Sequence, residues 1–202
     1  MRGPHVSECP LNQALQSTLA ILTQVRSDDL AAPTPCVSWD VRALVSHFVG
    51  TARWWAAVIA GDDVIAGDDA IAREDAAADV DYAAADFVAA YEESIRIAVA
   101  AFAAEGALDK TVRLPFGEFS GAVVRDLAAT EQFTHGWDLA RAVGYSADLD
   151  PELAAELLSQ ARLTITDAYR GPDGEAFFGP AAQAPAGTGP ADQLAAFLGR
   201  RV

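Results

Sequence analysis

Asp126–Gly144 reads DLAATEQFTHGWDLARAVG, and its apolar residues recur at helical rather than strand spacing. Residues four apart on a helix share a face, so Glu131 and His135 project together. At about 100° per residue that face also carries Val124, Leu127, Leu139 and Ala142. A carboxylate and an imidazole therefore stand in the middle of a stripe that should meet a core. Burying an unpaired carboxylate is costly, and protonating it is only a partial escape. A divalent cation relieves the cost, because both groups are good ligands. Glu131 and His135 are expected to be two ligands of a metal site that needs at least one more.

The same helix is apolar on its other side, through Ala129, Phe133, Trp137 and Ala140. A surface helix normally buries one stripe, so this one must be covered twice. The candidates are a fifth helix, the tail around Phe177 and Phe178, or a second subunit. The tail is preferred because it is close in sequence and has aromatics to spare; a homodimer is the alternative.

Working outward, the missing ligand is sought among the histidines, of which the chain has 3. His5 lies in a loose lead-in beside Gly3 and Pro4 and reads as a solvated tail residue. His47 lies on a predicted second helix, opened by Ser38 or Asp40 and running to about Ala60. Val41, Leu44, Val45, Phe48, Ala52, Trp55, Ala56 and Ile59 form the apolar face of that helix. His47 falls beside it, on a stripe with Ala43, Gly50, Thr51 and Trp54 whose mixed character suits a pocket wall. A histidine at the edge of an apolar face is more often a satisfied core residue. Here the need of Glu131 and His135 for a third donor favours His47 as a ligand.

Other helices follow from the same periodicity. The first is predicted from about Pro10 to Leu30, burying Leu11, Leu15, Leu19, Leu22 and Val25. The third runs from about Tyr82 to Ala104, with Ala84, Phe87, Tyr91, Ile95, Ala98 and Phe102 facing the core. Asp150-Pro151 caps and opens a fifth, which buries Leu153, Leu157, Leu158, Ala161, Ile165 and Ala168 and ends at Gly171. Ala31–Ser38, with two prolines, is a loop. The acidic Gly61–Asp81 is a solvated connection whose aspartate spacing does not fit an EF-hand. Leu108–Ser120 is a short hairpin or extended loop that could wall the metal pocket, with Ser120 a candidate cap of the helix after it. A short last helix spans roughly Pro190 to Leu198. The expectation is an all-α, four-helix bundle over 1–170 with a further C-terminal helix, and a tail over 171–202 packed on it.

The 202 residues carry 14 Lys plus Arg against 29 Asp plus Glu, a net charge of −15. That acidity disfavours nucleic acid and anionic membrane as partners. No apolar run approaches a membrane span and the N-terminus lacks a signal-peptide core, so the expected location is cytoplasmic. Cys9 and Cys36 read as reduced structural thiols.

Trp39-Asp40-Val41-Arg42-Ala43-Leu44-Val45-Ser46-His47 and Glu131–Gly144, above all His135-Gly136-Trp137-Asp138-Leu139-Ala140, resemble the DinB/YfiT-like metal-binding superfamily. Within it, they resemble the branch of mycothiol-dependent maleylpyruvate isomerase and its uncharacterised metal-binding relatives more closely than the superfamily at large. The likeness extends to Phe178-Gly179-Pro180 and Leu194–Arg200. The resemblance implies a four-helix bundle holding a divalent metal through His47, Glu131 and His135, and a low-molecular-weight thiol as cosubstrate.

Two imidazoles and one carboxylate leave an open position on a metal such as Zn²⁺, with Ni²⁺ or Fe²⁺ as alternatives. Asp138 could accept a hydrogen bond from the other nitrogen of His135, or else form a salt bridge with Arg141 or Arg42. Two functions remain open at this point. One is a metal-dependent thiol transferase or isomerase acting on a small electrophile. The other is a non-catalytic metal-binding or sensing protein on the same bundle.

Overall fold

The computed structural model of the chain describes residues 9–36, 39–61, 80–114, 116–172, 176 and 178–202. Among these it has six α-helices: α1 Pro10–Leu22, α2 Val41–Ala60, α3 Phe87–Ala103, α4 Gly121–Ala142, α5 Pro151–Thr164 and α6 Pro190–Phe197. A single two-stranded antiparallel hairpin, β1 Thr111–Leu114 and β2 Gly117–Ser120, precedes α4. The expected all-α architecture is what is found.

Four helices make the bundle. α1 packs most extensively on α4 and α2 on α3, while α2 also meets α4 and α1 meets α3. The caps follow from the sequence. The side chains of Asp40, Asp86, Ser120 and Asp150 each accept a backbone N–H from three residues on. Ser38 lies outside the described residues. Gly61, left-handed at φ 94°, closes α2.

Three helix boundaries differ from expectation, two of them where a short polar side chain captures a backbone N–H. α1 stops at Leu22 rather than Leu30, since Asp29 accepts the Arg26 N–H at 2.8 Å and begins a new turn. α3 starts only after its Asp86 cap; the preceding Tyr82–Ala84 is a 3-10 turn that buries Ala83 and leaves Ala84 exposed. α5 ends at Thr164, so Ile165 is still buried but Ala168 is exposed.

α4 is the axis of the fold, and Val124, Leu127, Ala129, Phe133, Trp137, Leu139 and Ala140 are all buried. Its second apolar side is covered differently from the expectation. The principal cover is α1, not the tail. The approach is close: a Cβ on Gly136 would stand 2.3 Å from Thr18 Oγ1, so glycine is required where the two helices touch. α5 and α6 complete the cover, with Asp192 of α6 accepting the Trp137 indole N–H at 2.9 Å. Phe178 is half-buried against the core, and Phe177 lies outside the described residues. Behind it, Arg170 donates to the carbonyls of Gly179 and Phe197 at 2.9 and 2.8 Å and lies over the Phe197 ring.

The hairpin leads into the first turn of α4, with Phe116 and Phe119 in contact and Phe116 against Tyr169. Glu131 lies ten positions beyond Gly121, about 15 Å along the helix.

Candidate metal centre

α2 and α4 bring His47, Glu131 and His135 together. Glu131 Oε1 is 3.4 Å from His47 Nε2 and 3.8 Å from His135 Nε2. Two donors about 2.0–2.1 Å from one tetrahedral ion stand roughly 3.3 Å apart, so the spacing suits a small divalent cation after slight contraction. The histidine side chains are 4% and 8% exposed and that of Glu131 14%, which leaves Glu131 the most accessible of the three.

The Glu131 carboxylate is gripped by uncharged donors. Thr51 Oγ1 donates to Oε1 at 2.7 Å; the Trp55 indole and the Gln132 amide donate to Oε2 at 2.8 and 3.2 Å. Burial pushes the carboxyl up, but hydrogen bonding to His47, the neighbouring imidazole charges and Thr51 outweigh it and hold the group below its ordinary value. For His135, burial is the largest influence and holds the imidazole below its ordinary value despite the Asp138 hydrogen bond. Among the described residues no arginine or lysine pairs with Glu131.

Asp138 is set differently. Its Oδ2 lies 3.1 Å from His135 Nδ1, so the imidazole presents Nε2 toward Glu131. Its ion-pair partner is Arg200, at 3.0 Å through Nη2, rather than Arg141 or Arg42. Arg141 lies over the Trp137 ring and Arg42 pairs with Asp81. Burial opposes the charge on Asp138, yet Arg200 first and His135 second hold its carboxyl well below the carboxylate range.

Cys36 completes that side, its Sγ 3.2 Å from Asp138 Oδ2 and 3.2 Å from Arg200 Nη2. Burial and the Asp138 charge push its thiol far up, so it donates to Asp138 and accepts from Arg200. Cys36, His135 and Asp138 are a second grouping of metal-ligating side chains. The guanidinium already neutralises that grouping and would repel a cation there. Of the two groupings, the His47, Glu131, His135 set has no arginine or lysine paired to it among the described residues.

Trp39 roofs the histidines, with its ring 4.2 Å from that of His47 and 5.7 Å from that of His135. It is held by the α1–α2 connection, where Thr34 Oγ1 donates to the Trp39 carbonyl at 2.8 Å. His47 Nδ1 is buried, with no hydrogen-bond partner among the described residues.

Sequence reasoning missed Cys36, Arg200 and the roles of Trp55 and Gln132. Trp55 lies on the apolar face of α2 and gave no sign that its N–H had work to do. His5 lies outside the described residues. No helix among the described residues is long and apolar enough to cross a membrane.

A family model described as the mycothiol maleylpyruvate isomerase N-terminal domain matches residues 11–140. Two uncharacterised proteins of Mycobacterium tuberculosis, MT0763 of strain CDC 1551/Oshkosh and Rv0738 of strain ATCC 25618/H37Rv, are each 40% identical over 195 residues. The alignment covers 94% of this chain and 95% of each relative. No solved structure matches the chain.

Proposed function

The chain belongs to the mycothiol maleylpyruvate isomerase N-terminal domain family, and on that footing we propose that it holds one divalent metal through His47, Glu131 and His135 and serves a thiol-dependent transfer or isomerisation of a small electrophile. The observation that carries the metal is the charge balance: Glu131 faces two imidazoles with no basic side chain paired to it among the described residues. Zn²⁺ suits this donor set, with Ni²⁺ and Fe²⁺ as its competitors. A bound divalent cation would supply positive charge that favours the deprotonated form of a small thiol.

The remaining roles belong to the chain. Asp138 fixes the tautomer of His135, which keeps Nε2 available as a donor. Thr51, Trp55 and Gln132 hold Glu131 ionised and oriented. Trp39 shields one side of the imidazoles from water. Cys36, protonated and engaged by Asp138 and Arg200, is not the reacting thiol.

Elemental analysis of the purified protein, with thiol-dependent loss of a small electrophile followed in metal-loaded and metal-stripped samples, tests the proposal. A bound divalent ion that disappears in His135→Ala, together with metal-dependent turnover, supports it. Unchanged metal content in His135→Ala overturns the ligand set. Metal retention without turnover for any small thiol leaves the binding and sensing function in its place.

A further inference from the structure

Gln132 is fully buried in the middle of the bundle, which is an expensive place for an amide. It is retained with every polar atom engaged. Its Oε1 accepts the Tyr91 hydroxyl from α3 at 2.7 Å. Its Nε2 lies 3.1 Å from the Phe48 carbonyl and 3.1 Å from Thr51 Oγ1 on α2, and 3.2 Å from Glu131 Oε2. Its backbone carbonyl accepts the Thr18 hydroxyl from α1 at 2.8 Å. All four bundle helices thus meet at this one residue.

The donor and acceptor inventory fixes the direction of each bond. The Phe48 carbonyl and the Glu131 carboxylate can only accept, so they dictate that the NH₂ end of the amide faces them, and Oε1 is left to accept from the Tyr91 hydroxyl. The two NH₂ hydrogens are shared among the Phe48 carbonyl, Thr51 and Glu131. Thr51 has one hydrogen, and its shortest contact is Glu131 Oε1 at 2.7 Å, so it accepts from Gln132 and donates to the carboxylate. Oε2 is held by Gln132 and Trp55, and Oε1 is the oxygen turned toward both imidazoles.

We propose that Gln132 and Tyr91 are positioning residues for Glu131: the Tyr91 hydroxyl tethers the Oε1 end of the Gln132 amide, and the amide, directly and through Thr51, sets which carboxylate oxygen faces His47 and His135. The inference rests on the metal reading above. Neither residue touches the imidazoles. The effect of Tyr91 on the site crosses from α3 through a single side chain, and burial keeps its hydroxyl protonated as the donor.

Two nearly isosteric variants test it. Tyr91→Phe removes one hydroxyl and leaves Gln132 Oε1 buried without its donor, so that end of the amide is no longer tethered to α3. Gln132→Glu keeps the shape but replaces the donor facing Glu131 with a second carboxylate. Zn²⁺ affinity, measured by competition with a chromophoric chelator, is expected to fall roughly 10-fold in Tyr91→Phe and further in Gln132→Glu, the range seen when outer partners of metal ligands are removed. The absorption spectrum with Co²⁺ alone should change in both, since the field around the ion depends on carboxylate orientation. The double variant Tyr91→Phe/Gln132→Met should bind Zn²⁺ no more weakly than Gln132→Met, because Tyr91 acts only through the amide. Parental Zn²⁺ affinity and an unaltered Co²⁺ spectrum in whichever variant folds, with only urea stability reduced, overturn the positioning role and leave the metal reading intact. A parent chain that binds no Zn²⁺ overturns both.

Discussion

Glu131 and Asp138 are two carboxylates on one helix, two turns apart, and both touch the space around His135. Asp138 has a fully buried side chain and is matched by a guanidinium, a thiol and an imidazole N–H. Glu131 retains 14% of its side-chain exposure and is matched only by uncharged donors and imidazoles. The same residue chemistry thus gives a closed ion pair in one place and, among the described residues, a carboxylate with no guanidinium or ammonium partner in the other. Proximity to histidine does not distinguish a ligand from its supporter. The identity of the balancing charge does.

The contrast breaks most readily at Arg200. Arg200→Met leaves the Asp138 carboxylate buried and unmatched, and removing one partner of a buried pair costs about 3–5 kcal/mol. Chemical denaturation of the metal-free variant measures this, and a loss below about 1 kcal/mol would show that Asp138 does not depend on the pair. Glu131→Gln should act in the opposite sense: metal-free stability is kept, while Zn²⁺ affinity falls by more than the roughly 10–100-fold that loss of an outer partner costs. A calorimetric titration with parental affinity would remove Glu131 from the ligand set. Asp138→Asn sits between the two, with an expected loss of about 10–100-fold in Zn²⁺ affinity; equal binding would reduce Asp138 to a structural ion pair.

The acid limb gives a smaller effect. The Asp138 carboxyl is held below its unfolded value of about 3.9 by Arg200 and His135, after overcoming burial. Its contribution to stability is therefore complete above about pH 4 and is lost as pH falls below that toward the folded value. Metal-free protein should lose stability as pH falls below about 4, and Asp138→Asn should lose less over the same interval. The smallest expected effect is on labelling. Iodoacetamide near pH 8 should modify exposed Cys9 well before Cys36, whose thiol is kept protonated by burial and by Asp138. Mass spectrometry finding equal rates would show that the Asp138 side opens to solvent.

What was legible in the sequence was whatever depends on spacing along one helix. Glu131 and His135 four apart, the caps at Asp40, Ser120 and Asp150, and the doubly apolar α4 could all be read from local periodicity. Pairings between distant segments could not. Asp138 had nearby arginines to suggest, yet its partner lies 62 residues on. Nothing in an apolar α1 announces that Thr18 will meet Gly136 and so make α1, rather than the tail, the main cover of α4. Trp55 and Gln132 were hidden for a related reason. Both sit where packing alone would explain them, and their hydrogen bonds appear only once α2 and α4 are side by side.

The separation of Asp138 from Arg200 also has a consequence in time. A ribosome adding about 5–20 residues per second needs roughly 3–12 s to travel those 62 positions. Throughout that interval the nascent chain already contains His47, Glu131 and His135, while Asp138 has no guanidinium and must stay hydrated or take up a proton. The order of translation therefore delivers His47, Glu131 and His135 before the guanidinium that pairs with Asp138.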